Sequence, residues 1–243
     1  MPELSIIIPA YNEAEELPKT LGSLHTALSV AGLDGEIIVV DNNSTDATSE
    51  IALANGADRV VFEPINQIAR ARNAGAKGAP TQFLVFVDAD TRISGRLLEA
   101  SLNQMKKGDV GGGSVIRFEG EINWVGRLGI SLWERLSKIT QTAAGSFIFC
   151  RRDAFEAIGG FDVKFFAGEE IGFSRRLKKW GREEKRDFKI LTDSPAQTSA
   201  RKLQWYSGPK ILGWMIFMML FPVAVRWRRL CGFWYRRPEP QRS

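Results

Sequence analysis

At 243 residues, 44% hydrophobic and 25% charged, the chain has the composition of a globular protein and is long enough to bury a sizeable core. Its net charge of +5 sits in the tail: from Trp205 onward come Lys210, Arg226, Arg228, Arg229, Arg236, Arg237 and Arg242 against the single acid Glu239. The remainder is close to neutral, which argues against a general nucleic-acid binder and for a surface that meets anionic lipid. Cys150 and Cys231 are the only cysteines, so a reducing cytoplasm is expected rather than a disulfide framework. A lone histidine, His25, excludes a His-rich metal site, and Met1-Pro-Glu-Leu4 lacks the basic region of a signal peptide.

In chain order, Leu4–Pro9 reads as a buried strand and Glu13–Ser29 as a helix through Leu17, Leu21, Leu24 and Leu28. Gly35–Asp41 is a second buried strand, and the turn-rich Asn42–Asp46 leads into a helix over Thr48–Ala54. Arg59–Phe62 is a short strand and Asn66–Ala79 a small-residue helix carrying Arg70, Arg72 and Lys77. The apolar run Phe83–Asp90 reads as another buried strand. Helix Ser94–Lys107, a strand within Asp109–Phe118, helix Ile122–Thr140, strand Gly145–Cys150 and helix Arg152–Ile158 follow. The helix Ile122–Thr140 would bury Trp124, Leu128, Leu132 and Leu136. A turn at Gly159–Asp162 precedes a helix opened by Phe165–Glu170 and running to about Trp180, and Asp187–Thr192 is a last strand. Strands alternating with helices predict an α/β fold with a mostly parallel central sheet and helices on both faces. The second half is expected to pack against that sheet as an acceptor-side layer, within one domain.

The Gly-x-Gly-x-x-Gly fingerprint and the Walker phosphate loop are both missing, so a bound nucleotide must be held by side chains and a metal. Carboxylates at two strand ends suit that task. Strand alternation points Asp88 and Asp90 the same way, where a hard ion such as Mg2+ or Mn2+ would take its other ligands from water and phosphate. Asp41 would accept hydrogen bonds from a base or ribose. Two solvated aspartates at a polar strand end give the same D-x-D pattern, so the pair decides nothing alone.

The ordered set Ile8-Pro-Ala-Tyr-Asn-Glu13, Val40-Asp-Asn-Asn-Ser-Thr-Asp46, Ala71-Arg-Asn-Ala-Gly-Ala76, Val87-Asp-Ala-Asp90, Gly159-Gly-Phe-Asp162 and Glu169-Glu170 resembles a family 2 glycosyltransferase of the GT-A fold over residues 4–190. The resemblance implies a nucleotide-sugar donor (a UDP- or GDP-sugar), a divalent metal and inversion at the anomeric carbon. By position it puts Pro9, Ala10, Tyr11, Glu13 and Asp41 in the nucleotide pocket, with Arg72 and Asn73 near the nucleotide. Asp88 and Asp90 match the family's D-x-D, Asp90 as direct metal ligand, and Arg201 matches a phosphate contact. The family's catalytic base lies in a Glu-Asp pair at a helix start. Here the pair is Glu169-Glu170: Glu170 aligns with the base, and its extra methylene leaves both acids open. Two acids offsetting a helix dipole would look identical.

The uncharged run Ile211–Val225 is fifteen residues, and at ~1.5 Å per residue it falls short of a ~30 Å hydrocarbon core. With the aromatic and basic residues after it, it reads as an interfacial anchor rather than a span; a C-terminal core helix is the other reading. The expected organisation is a transferase domain over residues 1–203, divided at residue 92 into nucleotide and acceptor halves, and a membrane-associating segment over 204–243. The expected site of action is the cytoplasmic face of the plasma membrane, on a sugar or polyprenyl-lipid acceptor. A nucleotidyltransferase, or a nucleotide-binding scaffold on a related fold, would use the same sheet. The first needs a Gly-rich basic loop after the first strand, and the second needs lost carboxylates.

Overall fold

The computed structural model describes residues 2–120, 139–201 and 221–235, together with Arg135, Pro209, Lys210, Gly213 and Phe217. Its centre is strand β1 (Leu4–Ala10), buried along its whole length. Because successive side chains of a strand face opposite ways, Ile6 and Ile8 enter one apolar cluster while Ile7 enters the other. Strand β2 (Gly35–Asp41) divides its residues likewise, Val39 to the first cluster and Ile38 and Val40 to the second. Helix α1 (Leu17–Ala31) covers the first face through the leucines that its periodicity picked out. Helices α2 (Thr48–Ala54) and α3 (Ile68–Gly78) flank strand β3 (Arg59–Phe62), and α3 lies on the second face. Its approach is close: a Cβ on Gly75 would stand 2.4 Å from Ile7 Cγ2.

Strand β4 (Phe83–Val87) stops three residues before the end of the predicted run. Asp88 and Asp90 therefore lie in a turn, closed by the Thr91 N–H bonding Asp88 O at 3.0 Å, and strand alternation does not orient them. A two-residue strand β5 (Thr91–Arg92) and helix α4 (Gly95–Lys106), capped by Ser94, follow. Strands β6 (Gly111–Glu119) and β7 (Phe147–Arg151), helices α5 (Arg152–Ala157) and α6 (Glu169–Glu183), and strand β8 (Phe188–Ser199) make up the second half.

These strands do not pack against the first sheet as a layer. They extend one eight-stranded sheet of order β3-β2-β1-β4-β7-β6-β8-β5. The free edge of β4 is taken by β7, antiparallel over five residue pairs, which joins the halves through backbone hydrogen bonds. The contacts β1–β2, β1–β4, β2–β3 and β6–β8 are parallel. Strand β8 runs seven residues beyond its predicted end at Thr192, with a register shift opposite Ser114–Ile116 that accommodates Pro195. Where β6 and β8 meet, a Cβ on Gly112 would stand 1.9 Å from the Lys189 carbonyl oxygen. Gly112→Ala should therefore separate the strands and cost about 1–3 kcal/mol, read as a fall in Tm.

The predicted helix Ile122–Thr140 and its stripe lie outside the described residues, apart from Arg135, Ile139 and Thr140. Much of the uncharged run at 211–220 does too. Residues 222–235 form two 3-10 turns, Pro222–Arg226 and Arg228–Leu230, and a short helix α7 (Gly232–Tyr235). Among the described residues no helix is long and apolar enough to cross a membrane.

Candidate active site

Parallel strands deliver their carboxyl ends to one edge of the sheet, and the singled-out residues gather there. Leaving β1, the chain turns at Asn12, whose φ of 53° is a left-handed conformation that asparagine tolerates. The Asn12 N–H bonds Ser44 Oγ at 2.9 Å and its side-chain oxygen accepts from Thr45 N at 2.7 Å. The Glu13 N–H bonds Thr48 Oγ1 at 2.9 Å. The loops after β1 and β2 are thus clasped together around Pro9, Ala10 and Tyr11. Asp41 accepts from Ser44 N at 2.8 Å on one oxygen and from Ser49 Oγ at 2.5 Å on the other. It fastens its own loop, and each oxygen keeps a second lone pair.

The centre of the site is Arg72, 1% exposed on α3. Its guanidinium donates to Glu169 Oε1 at 2.6 Å, to Asp88 Oδ1 at 2.9 Å and to the Gly145 carbonyl at 2.9 Å. Its carbon stands 5.2 Å over the Phe161 ring. A planar fork with several fixed donors is the side chain that can bridge so many acceptors. Burial works against its charge, yet Asp88, Glu169 and Glu170 hold its pKa above the ordinary value.

Through this one residue the D-x-D turn, the strand β7 approach and the start of α6 are fixed relative to each other. The Asp88 N–H also bonds the Ser146 carbonyl at 3.2 Å. Asp90, 5% exposed, faces β8: its carboxylate accepts from Thr198 Oγ1 at 3.4 Å and its carbonyl from Ser199 N at 3.1 Å.

Glu169 and Glu170 occupy the first turn of α6, entered through Gly168 at a φ of 69°. The structure separates them. Glu169 is 3% exposed and paired with Arg72, and burial raises its carboxyl despite that partner. Glu170 keeps partial exposure. Burial first, and the neighbouring Glu169 second, push its carboxyl up to about 8. A carboxyl so shifted holds its proton through neutral pH and becomes an ionised, proton-accepting group only as pH rises toward that value.

Arg201, beyond β8, donates to Glu13 Oε2 at 2.6 Å and lies 3.6 Å from Glu15, which brings the end of β8 to the loop after β1. Asn73 does not join the Arg72 bridge. Its amide bonds the Phe161 backbone both ways, at 2.8 and 2.9 Å, and secures the Gly159–Asp162 turn. Gln67, which sequence reasoning passed over, is 1% exposed and donates to the carbonyls of Val163 and Phe165 at 2.7 and 2.9 Å. It holds the loop that leads into α6. A glutamine ahead of a helix carries no local signal of so distant a partner.

Asp88 and Asp90 both lie in the turn after β4, one carboxylate on Arg72 and the other against Thr198. Among the described residues no group of three or more His, Cys, Asp or Glu is arranged to hold a metal. Two carboxylates fit an ion that draws its remaining ligands from phosphate and water.

The family model for glycosyl transferase family 2 matches residues 5–159. The chain belongs to this family. Among curated proteins, this family 2 chain is 28% identical over 199 residues to the glycosyltransferase AglE of Haloferax volcanii, covering 74% of the chain and 63% of that protein. It is 27% identical over 240 residues to the poly-beta-1,6-N-acetyl-D-glucosamine synthase of Staphylococcus epidermidis, covering 92% and 53%. The family 2 chain thus spans less than two thirds of these relatives' length. Among solved structures, the mannosyltransferase PcManGT of Pyrobaculum calidifontis, in complex with GDP-Man and Mn2+, superposes with a TM-score of 0.61 at 18% identity, covering 81% of this chain and 56% of its own. S. aureus TarS 1-349 in complex with UDP-GlcNAc gives 0.61 at 20% identity, covering 92% and 66%. Those likenesses establish the shared α/β fold.

Proposed function

We propose that the chain transfers a sugar from a nucleotide-diphospho-sugar to an acceptor hydroxyl, with a divalent metal and with inversion, at a membrane surface. The observation that carries this reading is the Arg72 bridge, which ties Asp88 of the D-x-D turn to Glu169 beside Glu170. Donor-side and acceptor-side carboxylates are thereby set across one site.

In this reading the clasped loops around Tyr11, Glu13 and Asp41 hold the nucleoside, and Arg201 turns from Glu13 to the diphosphate. Asp90 and Asp88 would hold Mg2+ or Mn2+, which would stabilise the charge of the departing diphosphate as a Lewis acid. Glu170 accepts the proton of the attacking hydroxyl. Glu169, neutralised by Arg72, positions the start of α6. The transferase unit is residues 1–203, and residues 204–243 attach it peripherally to the membrane. The pairing of PcManGT with GDP-Man and Mn2+, and of TarS with UDP-GlcNAc, supports the donor class.

The test is metal-dependent hydrolysis of UDP- and GDP-sugars in the absence of acceptor. One donor should be cleaved only with Mn2+ or Mg2+ present, and Asp90→Ala should lower that rate by at least about 10²-fold. Equal cleavage with and without metal would remove the metal from the mechanism. A lipid phosphate is a second acceptor reading, favoured by the basic, aromatic C-terminal segment. Such an acceptor is already ionised and needs no base.

A further inference from the structure

The segment 221–235 presents a face that the described chain does not cover. Its turns bury Ala224 and Cys231 while leaving Phe221 58%, Val223 54%, Trp227 56% and Leu230 41% exposed. Arg226, Arg228 and Arg229 are exposed among them, and no acid occurs between residues 221 and 235. The Arg226 guanidinium lies 5.4 Å over the Phe165 ring and that of Arg228 lies 5.5 Å over Tyr235. Aromatic and aliphatic side chains beside cations make a surface that enters the headgroup layer of a bilayer while its charges stay at phosphate level.

We propose that this face docks onto an anionic lipid bilayer. A second copy of the chain would also cover the apolar residues, but a two-fold contact sets like against like. Three arginines in a segment without an acid between residues 221 and 235 would then repel each other, whereas anionic headgroups attract them.

The docked face is fastened to the acceptor side of the site. Val225 O accepts the Phe166 N–H at 2.7 Å, and the Phe166 ring stands 6.1 Å from that of Tyr235. Phe165 and Phe166 belong to the loop that Gln67 holds and that opens into Glu169 and Glu170. Docking therefore brings the start of α6 to the lipid interface, where an acceptor with a membrane-embedded tail reaches Glu170 without leaving the bilayer. Only this last consequence rests on the transferase reading; the docking itself does not.

The experiment is co-sedimentation of the full chain with vesicles of phosphatidylcholine alone or mixed with phosphatidylglycerol. The variants are Trp227→Ser/Leu230→Ser and Arg226→Gln/Arg228→Gln/Arg229→Gln. The wild type should pellet with the mixed vesicles, less so as salt is raised, and the arginine variant should partition about a hundredfold more weakly. Failure of the folded wild type to pellet, or pelleting of both variants to the same extent as wild type, would overturn docking. So would a wild-type dimer in velocity sedimentation that the variants lose, since the face would then belong to a second copy. UDP and GDP titrations on the same proteins keep the two ideas apart. A wild type that binds nucleotide but not the mixed vesicles condemns docking alone, and one that binds the vesicles but no nucleotide condemns the transferase reading alone.

Discussion

Glu170→Gln is expected to lower the transfer rate to a hydroxyl acceptor by about 10²–10⁴-fold, with donor affinity unchanged. Glutamine keeps the shape of the side chain and loses the site that takes the proton. The pH dependence follows from the upward shift of this carboxyl to about 8 from 4.5. A base works only when ionised, so kcat/KM of the wild type should climb with pH through that region, and the variant's small residual rate should lack this limb. The stability sign runs the other way. Between the unfolded and folded pKa values the unfolded chain has released a proton that the folded chain retains, so stability falls as pH rises through that window. Glu170→Gln should then have a higher Tm than wild type near neutral pH, and the difference should vanish below the unfolded value. A full rate in Glu170→Gln would remove the base and point to a phosphate acceptor.

Arg72→Ala is expected to have the largest effect on the fold. It removes the counter-charge from Glu169, which is 3% exposed, and from Asp88 at once. Deleting one partner of a buried pair leaves the other desolvated and uncompensated, which costs about 3–5 kcal/mol. Thermal unfolding should show it directly. Arg72→Lys keeps the charge but replaces a planar fork by a point charge, which cannot serve Glu169, Asp88 and Gly145 in their present directions. That variant should fold, bind donor more weakly and transfer slowly. Together the two separate charge from geometry. If Arg72→Lys behaved as wild type, the bridge would be a matter of charge alone.

Much of the first half was legible because its signals are local. The runs Gly35–Asp41, Thr48–Ala54 and Arg59–Phe62 form the predicted strand, helix and strand to the residue. Continuous apolar strands correctly announced a sheet covered on both faces. The predicted strand Phe83–Asp90 ran too long because β-propensity cannot register the Ser146 carbonyl that takes the Asp88 N–H, nor the turn that Thr91 closes. The extension of β8 past Pro195 was equally hidden, since it depends on β6 being alongside.

The residues that gather at the carboxyl edge of the sheet were singled out by motif, but their different surroundings were not. Nothing in Glu169-Glu170 distinguishes the two acids. A guanidinium 97 positions earlier does so, by pairing with the first and not the second. Gln67 and the Gly145 carbonyl escaped notice for the same reason, as their partners are remote in sequence.

The central claim is a metal-dependent nucleotide site at the D-x-D turn. Isothermal titration of UDP, GDP and their sugar conjugates, with and without Mn2+, tests it most directly. One nucleotide family should bind only with the metal, and Asp90→Ala should abolish the heat. If the folded protein bound none of them, or bound one equally well without metal and in Asp90→Ala, the account of this site would be contradicted.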